Sequence, residues 1–181
     1  MQIQNLPIKM AMAMKLKIFS MGGTIDKIYF DDLSNYEVGD PQVIEILKEA
    51  NVDFEYELQE VVRKDSIYMT DEDRQLLRRL IQADPNRLIL ITHGTDSMVD
   101  TAAHLTDLGD KVIVLTGALT PARFRRTDAA FNVGCAVGAI QALKPGVYIA
   151  MSGRIFPAGT VRKNRAKGCF EELCGEGTRH P

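Results

Sequence analysis

Two short motifs, each a glycine followed by a threonine, carry most of the chemical information in this chain of 181 residues. Residues 22–26 read Gly-Gly-Thr-Ile-Asp, and residues 93–97 read His-Gly-Thr-Asp-Ser. Each motif follows an apolar run typical of a β-strand, so each places a threonine at a strand end, where parallel sheets bind ligands. A threonine hydroxyl becomes a nucleophile when a base removes its proton, and Asp96 lies directly beside Thr95. The motifs therefore indicate nucleophilic chemistry at Thr24 and Thr95.

The same residues also admit structural interpretations. Gly23 and Gly94 let the backbone approach a ligand closely and permit the bare N–H groups of an oxyanion site. Taken alone, however, Thr24 is also typical of a turn, and Thr95-Asp96 is typical of a helix N-cap. Capping and catalysis are compatible, so the sequence leaves both interpretations open.

Three further side chains are candidates that lie outside the two motifs. The Tyr36 hydroxyl would assist proton transfer to a threonine, although loop tyrosines more often pack or face solvent. Ser66 follows a Lys-Asp pair and is also typical of a turn. Lys163 lies in a basic stretch and would accept a proton only if it were buried and neutral, whereas most such lysines are solvated.

Alternating strands and helices are predicted to position these residues. Apolar runs predict strands at 16–20, 54–62, 88–91, 112–115 and 147–151. Capping signals and helical spacing predict helices that begin at Asp40-Pro41 and at Thr70, and helices over 97–108 and 127–143. The last helix is predicted to be buried through Ala130, Gly134, Val137 and Ile140. This alternation predicts parallel β-α-β units in a three-layer α/β/α domain with a mostly parallel sheet.

The rest of the chain is less regular. The composition of residues 21–40 predicts a long loop with room for a hairpin. After Gly153 the alternation of strand and helix signals becomes irregular. We expect residues 1–13 to form a disordered leader, residues 14–174 to form the domain, and residues 175–181 to form an unstructured tail.

Composition narrows the function classes. The chain is 45% hydrophobic with a net charge of −2, which is ordinary for a globular protein and favours neither nucleic-acid nor membrane binding. The arginines at 123, 125 and 126 are interpreted as a solvated loop.

No transmembrane or signal segment is recognisable, so we expect a cytoplasmic protein. The three cysteines and three histidines lack metal-ligand spacing, so no metal is expected, and Cys135 is interpreted as a buried small side chain.

Several segments, in order along the chain, resemble the bacterial-type L-asparaginase family, which includes the glutaminase-asparaginases. They are Gly22-Gly23-Thr24-Ile25, Ser34-Asn35-Tyr36-x-Val38-Gly39, Asp65-Ser66-x-x-Met69, His93-Gly94-Thr95-Asp96-Ser97-Met98, and Leu115-Thr116-Gly117-Ala118-x-x-Pro121 with Phe131-Asn132. The resemblance runs from about residue 15 to residue 164. It implies the flavodoxin-like α/β fold of asparaginase N-terminal domains.

The resemblance also implies a reaction, the hydrolysis of a side-chain amide with release of ammonia. Thr24 would be the nucleophile that attacks the amide carbon, and Tyr36 would activate it. Thr95, Asp96 and Lys163 would form a second constellation that acts on the same carbonyl.

Substrate binding follows from the same resemblance. Asp96 would bind the α-ammonium group and Ser66, next to Asp65, the α-carboxylate, with Thr95 beside them. Gly23 and Gly94 would let the loop and strand end approach the ligand. No metal or organic cofactor is expected. The substrate would be L-asparagine, glutamine or another small amide, and the sequence leaves this choice open.

Similar enzymes continue into a smaller C-terminal domain, and their sites are completed by a neighbouring subunit. That second domain is not recognisable here, so we expect it to be absent and expect a homo-oligomer that binds neither nucleic acid nor membrane. An alternative stays open, in which the chain is a non-catalytic module that binds an amino acid or serves as a subunit.

Overall fold

The computed structural model describes residues 14–29 and 36–173. The predicted leader at 1–13 and tail at 175–181 lie outside this part of the chain. The described strands before the first long helix are β1 (Lys15–Gly22), β2 (Lys27–Tyr29), β3 (Tyr36–Val38) and β4 (Glu55–Lys64), with helix α1 (Val43–Glu49) between β3 and β4. They are followed by α2 (Asp71–Ala83), β5 (Leu88–Thr92), α3 (Met98–His104), β6 (Val112–Thr116), α4 (Ala129–Ala142) and β7 (Gly146–Met151). The last described elements are β8 (Arg154–Pro157), β9 (Val161–Asn164) and β10 (Cys169–Glu172).

The main sheet has six strands in the order β4-β1-β5-β6-β7-β8. All neighbours are parallel except β7 and β8. In the order of their appearance along the chain, the five parallel strands are arranged second, first, third, fourth and fifth, which is the flavodoxin order. The predicted three-layer α/β fold with a mostly parallel sheet is therefore confirmed.

Two hydrophobic clusters fill the space on either side of this sheet. One cluster contains Leu77 of α2 and Met98 of α3. The other contains Ile46 of α1 and Val133 of α4. Strands β5 and β6 contribute side chains to both clusters because helices cover both of their faces, which explains their unbroken apolar runs.

The connections after β1 and β5 place their helices on opposite faces of the sheet. β1 leads through a hairpin to α1 on one face, whereas the adjacent β5 leads to α3 on the other. A crevice forms outside the carboxyl ends of strands where the direction of the connections reverses in this way. Both glycine-threonine motifs lie at this crevice, so the topology itself places Thr24 and Thr95 near each other.

Helix α1 begins later than the sequence predicted. Asp40 was expected to cap it, but the helix starts at Val43 with Gln42 as its N-cap residue. The cap is supplied from a distance, because the Gln42 N–H donates to Oδ1 of Asp26 at 2.8 Å. Asp40 instead pairs with Arg63 at 2.8 Å. The predicted capping box at Thr70 is confirmed, with Asp73 as its acidic partner.

Other boundaries and one helix register also differ from prediction. Helix α3 ends at His104, four residues short of the predicted end at 108. In α4 the predicted face was wrong for Ala130 and Gly134, which are exposed. The buried face of α4 is formed by Ala129, Val133, Ala136, Val137, Ala139 and Ile140. Cys135, expected to be buried, is only partly so.

The segment after Gly153 is more regular than predicted. Strand β8 pairs antiparallel with β7, and β9 pairs with β10 in a separate hairpin. Val161 and Phe170 of this hairpin are buried in the core. The burial fixes the hairpin to the domain and thereby positions Lys163, which lies between these two residues.

Candidate active site

Three backbone segments meet at the carboxyl ends of β4, β1 and β5. A Cβ atom added at Gly23 would lie 2.3 Å from both the Cα and the backbone nitrogen of Gly94. A Cβ added at Gly94 would in turn lie 2.5 Å from the Cβ and Oγ of Ser66. No side chain larger than hydrogen fits at either glycine without displacing its neighbour. The two glycines therefore bring the turns that carry Thr24, Thr95 and Ser66 into direct contact.

Thr24 opens a single 3₁₀ turn, Thr24–Asp26, directly after β1. Gly22 and Gly23 before it adopt φ values of 79° and 97°, which side chains disfavour, so glycine is required there to turn the chain. The Thr24 side chain is partly exposed and available to a ligand.

The turn is held by Asp26, whose carboxylate is buried. Ser20 donates to Oδ2 at 3.3 Å, and the Gln42 N–H donates to Oδ1. Burial raises the pKa of Asp26 to about 6 from 3.8, because the charged form loses hydration there. Asp26 therefore connects the Thr24 turn to the start of α1.

Thr95, Asp96 and Lys163 form the predicted constellation. Nζ of Lys163 donates to Oγ1 of Thr95 at 2.6 Å and to Oδ1 of Asp96 at 2.8 Å. The Lys163 side chain is only 13% exposed, so the solvated interpretation of this lysine is wrong. Thr95 is buried as well, and Arg165 approaches Oδ1 of Asp96 at 3.5 Å.

Neither Thr95 nor Asp96 caps the next helix. Helix α3 begins at Met98, and its N-cap residue is Ser97. The N-cap interpretation of Thr95-Asp96 is therefore wrong, and their hydroxyl and carboxylate face Lys163 instead.

Ser66 is joined to this constellation by two hydrogen bonds. Its Oγ accepts from the Asp96 N–H at 3.2 Å, and its carbonyl accepts from Oγ of Ser97 at 2.7 Å. These bonds fix the Ser66 turn against the residues that follow β5. Ser66 is 2% exposed, which makes its hydroxyl part of the floor of the site.

Asp65 serves as a structural bridge in this arrangement. Nζ of Lys27 lies 2.6 Å from Oδ2 of Asp65, so the segment after Thr24 is bound to the segment before Ser66. Burial alone would raise the pKa of Asp65, but the hydrogen bond from Lys27 and the Ile67 N–H hold it below its usual range.

Tyr36 lies on β3, in the hairpin that follows the Thr24 turn. Its side chain is 45% exposed, and its ring centroid is 6.4 Å from that of Phe124. The ring of Tyr36 is therefore nearly half exposed and lies near Phe124.

Sequence reasoning missed His93, although it directly precedes Gly94. The ring is fully buried, with Nδ1 2.7 Å from the Gly94 carbonyl and Nε2 2.9 Å from Oγ1 of Thr101. A carbonyl only accepts, so Nδ1 carries the proton and Nε2 accepts from Thr101. Burial lowers the pKa of His93 to about 4, which keeps the ring neutral. His93 therefore orients the peptide between Gly94 and Thr95.

Asp26 and Lys27 were missed for a different reason. Asp26 is the last residue of the first motif and Lys27 follows it directly, but their partners, Gln42 and Asp65, come from distant segments. A charged residue next to a motif was the only available signal, and it does not identify a partner. Among the described residues, no group of three or more His, Cys, Asp or Glu side chains is arranged to hold a metal ion.

The fold and the site together define a class of protein. It is a flavodoxin-ordered α/β domain with two threonines, a carboxylate and an amine at the point where its connections reverse direction. The family model for the asparaginase N-terminal domain matches residues 15–172, and the chain belongs to the asparaginase family.

Individual relatives agree with this assignment. The solved L-asparaginase of Thermococcus kodakarensis is 26% identical, with a TM-score of 0.78 over 88% of this chain and 51% of that one. A probable cytoplasmic L-asparaginase of Campylobacter jejuni is 27% identical, with a TM-score of 0.69 over 87% of this chain and 51% of its own. A component of the glutamyl-tRNA(Gln) amidotransferase of Methanococcus vannielii is 42% identical over 69 residues, which are 37% of this chain and 16% of that protein. The chain thus spans about half the length of the two solved enzymes.

No described helix has the length and apolar character needed to cross a membrane.

Proposed function

We propose that this chain hydrolyses the side-chain amide of L-asparagine, or of a related small amide, to the acid and ammonia. One observation carries the proposal, namely the Lys163 amine within hydrogen-bond distance of both Thr95 and Asp96. A hydroxyl, a carboxylate and an amine in contact at a crevice suit proton transfer to and from a bound carbonyl compound. The likeness to the solved L-asparaginases supports an amide as the substrate.

Thr24 is the proposed nucleophile. Its oxygen attacks the amide carbon, the C–O bond forms, and the carbonyl oxygen gains negative charge in a tetrahedral intermediate. Tyr36, on the hairpin that follows, is the proposed acceptor for the Thr24 proton, and it releases its own phenolic proton to solvent as it does so. Backbone N–H groups of the glycine turn are the proposed stabilisers of the oxyanion.

Breakdown of this intermediate requires a proton on the leaving nitrogen. Thr95 accepts a hydrogen bond from Lys163, so its own hydrogen is directed elsewhere, and in the described part of the chain it meets no protein acceptor. We assign that hydrogen to the amide nitrogen; Lys163 then gives a proton to Oγ1 of Thr95 and takes one up from solvent. The C–N bond breaks, ammonia leaves, and water then cleaves the ester on Thr24 to release the acid and restore the hydroxyl.

The remaining site residues are assigned to substrate binding. Asp96 is the proposed partner of the α-ammonium group and Ser66 that of the α-carboxylate, and Asp65 is proposed to hold the Ser66 turn in position. Gly23 and Gly94 bring the turns that carry the two threonines into contact, which is proposed to let both hydroxyls approach one substrate. One methylene is worth only about 1–3 kcal/mol in discrimination, so assays should include glutamine as well as asparagine.

Ammonia release from asparagine tests the proposal. Thr24→Ala and Thr95→Ala should each abolish it, because each removes a hydroxyl that reacts or transfers a proton. Thr106→Ala is the matched control, since Thr106 is exposed and its hydroxyl donates to the Ala103 carbonyl at the far end of α3. Wild-type turnover no faster than that of Thr24→Ala refutes the proposal.

Assembly and location are further parts of the proposal. A homo-oligomer is proposed because exposed apolar side chains, among them Tyr68 and Ile67 at 70% and 59% exposure, directly follow Ser66. Light scattering of the purified chain gives the mass.

A cytoplasmic location is proposed from the free thiols of Cys135 and Cys169 and from the likeness to an enzyme named cytoplasmic. Cell fractionation tests it.

A second candidate function is that of a non-catalytic subunit or amino-acid-binding module. The likeness to a component of an amidotransferase favours it, because that relative is named as one part of a larger enzyme. Calorimetry separates the two candidates. Binding of aspartate without turnover of asparagine would favour the module, whereas turnover by the chain alone would exclude it.

A further inference from the structure

The loop between β6 and α4 contains a tight turn at residues 121–124 to which the mechanism above gives no task. The Phe124 N–H donates to the Pro121 carbonyl at 3.0 Å, and this hydrogen bond closes the turn. Two separate parts of the proposed active site contact the 121–124 turn. The turn that carries Thr24 is hydrogen-bonded to it, and the ring of Tyr36 packs against it.

One backbone hydrogen bond joins the 121–124 turn directly to the turn that carries the proposed nucleophile. The Ala122 N–H donates to the Ile25 carbonyl at 3.1 Å, and Ile25 directly follows Thr24. Ile25 is fully buried in the core, so its carbonyl moves only if the packed side chains around it move as well. The 121–124 turn is therefore held against a fixed point one residue from Thr24.

A side chain provides a second attachment to the Thr24 turn. Nε of Arg123 donates to Oε1 of Gln42 at 3.0 Å. Gln42 is buried, and its own N–H donates at 2.8 Å to Asp26, the last residue of the Thr24 turn. The 121–124 turn is thus bonded to the Thr24 turn twice, once directly and once through Gln42.

The ends of this loop are also bonded to each other. The Asp128 carboxylate accepts the N–H groups of Leu119 and Thr120, each at 3.0 Å. Oγ1 of Thr127 donates to the Thr120 carbonyl, also at 3.0 Å. Because these bonds close the base of the loop, the 121–124 turn projects from a fixed support.

The last residue of the turn, Phe124, contacts the ring of Tyr36. The two ring centroids are 6.4 Å apart and the ring planes are inclined by 47°, which is within the range of attractive aromatic pairs. Tyr36 lies on β3, whose only strand partner in the described part of the chain is β2, and a two-stranded sheet of this kind needs further packing to be stable. Phe124 supplies such packing and remains 38% exposed.

We propose that Phe124 is a positioning residue that holds the ring of Tyr36 so that its hydroxyl reaches Thr24. Ala122 and Phe124 are neighbours but one in the chain, so a single turn contacts both partners of the proposed proton transfer and sets their separation. The inference deepens the proposed function, on which it rests for the role of Tyr36. Phe124 acts through Tyr36 and touches no reacting atom.

Steady-state ammonia release from asparagine tests this role. Phe124→Ala should lower kcat by about 10- to 100-fold, because displacement of a reacting group by about 1 Å costs up to that much rate. KM should stay close to that of wild type, because Phe124 contacts no residue assigned to substrate binding. Phe124→Tyr keeps the ring and should retain most of kcat. Phe131→Ala is the matched control, since Phe131 is an exposed phenylalanine on α4 whose ring lies beside Gly153.

A second background separates positioning from a general loss of structure. Tyr36→Phe keeps the ring of residue 36 but removes the hydroxyl that accepts the proton. If Phe124 acts through that hydroxyl, adding Phe124→Ala to Tyr36→Phe should cost no further rate. A merely structural role would lower kcat by the same factor in both backgrounds.

Amide hydrogen exchange of β3 tests the contact without requiring turnover, because exchange reports local opening. Loss of an aromatic pair of this kind should accelerate that opening by about 2- to 13-fold. Phe124→Ala should therefore speed exchange at residues 36–38 by this factor, whereas Phe131→Ala should leave it unchanged. Thermal melting of each variant establishes that it is folded.

Four results overturn the inference: unchanged exchange of β3 in Phe124→Ala, unchanged kcat in the same variant, an equal loss of kcat in Phe131→Ala or Phe124→Tyr, or an equal loss in the wild-type and Tyr36→Phe backgrounds. The outcome is separable from that of the proposed function. Faster exchange of β3 in Phe124→Ala without ammonia release by wild type would refute the proposed reaction and keep Phe124 as the support of Tyr36. Ammonia release with unchanged exchange would do the opposite.

Discussion

Gly94→Ala tests whether the site is assembled by direct backbone contact. The added Cβ would lie 2.5 Å from Cβ and Oγ of Ser66, whereas ordinary van der Waals contacts of this kind begin at 3.4 Å. Ser66 or the end of β5 must therefore move by about 1 Å, and overpacking of this kind costs about 1–3 kcal/mol. For a domain of this size, a cost of that order lowers Tm by about 2–12 °C.

The same displacement should impair the chemistry. A misplacement of about 1 Å can cost about 100-fold in rate, and here it moves the hydroxyl that accepts from the Asp96 N–H. We expect Gly94→Ala to lose at least that much ammonia release from asparagine, with Tm measured by circular dichroism on the same sample. Adding Ser66→Gly removes the obstructing side chain, so the double variant should recover stability but not activity.

Gly138→Ala is the matched control for this substitution. Nothing lies within 4 Å of a Cβ at Gly138, which is exposed on α4. Alanine in such a helix interior should stabilise by about 0.4–1 kcal/mol and leave activity unchanged. If Gly94→Ala matched wild type in both Tm and ammonia release, the contact between the turns would not be what assembles the site.

Three further predictions concern titration and the lysine. Burial raises the pKa of Asp26 to about 6, so Asp26 stabilises the fold fully below pH 3.8, and this contribution falls by about 3 kcal/mol as pH rises through 6. Asp26→Asn should abolish this pH dependence of the unfolding free energy, measured by urea unfolding. An unchanged pH dependence in the variant would contradict the prediction. Burial lowers the pKa of His93 to about 4, so the neutral ring stabilises the fold fully above pH 6.5, and this contribution is lost as pH falls through 4. In urea unfolding at the same pH values, His93→Gln should lose less stability at acid pH than wild type. An equal loss in both would refute the assignment of a buried neutral histidine. Lys163→Met should lower ammonia release by about 10²- to 10⁴-fold, because it removes an amine proposed to take part in proton transfer. Lys167→Met, on the same hairpin but exposed, should leave ammonia release unchanged. Equal effects of the two substitutions would show that Lys163 has no role in the reaction.

The fold was predictable because its signals are local. The apolar runs of β5 and β6 reflect burial on both faces, and the capping box at Thr70 lies within four consecutive residues. Each feature is set by neighbours in sequence, so periodicity and capping rules find it. The positions of Thr24 and Thr95 at strand ends follow from the same signals.

The features that were missed depend on distant partners. The cap of α1 comes from Asp26, sixteen residues before Gln42, and no local rule describes it. The face of α4 was misassigned because small apolar residues, such as Ala130 and Ala136, occur on both of its sides and give little contrast. The burial of Lys163 results from the β9–β10 hairpin, whose four-residue strands are too short for a clear alternation.

The residues of the site are therefore held in two ways, some by the main sheet and some by two-stranded hairpins. Thr24, Thr95 and Ser66 follow strands of the main sheet and are held in contact by glycines, so the rigid core sets their spacing. Tyr36 and Lys163 lie on separate two-stranded hairpins, and such hairpins are only marginally stable without further packing. Val161 and Phe170 anchor the hairpin of Lys163 in the core, whereas Tyr36 is nearly half exposed. The groups proposed to bind and attack the amide are thus fixed by the sheet, and the hairpins supply the groups proposed to assist proton transfer.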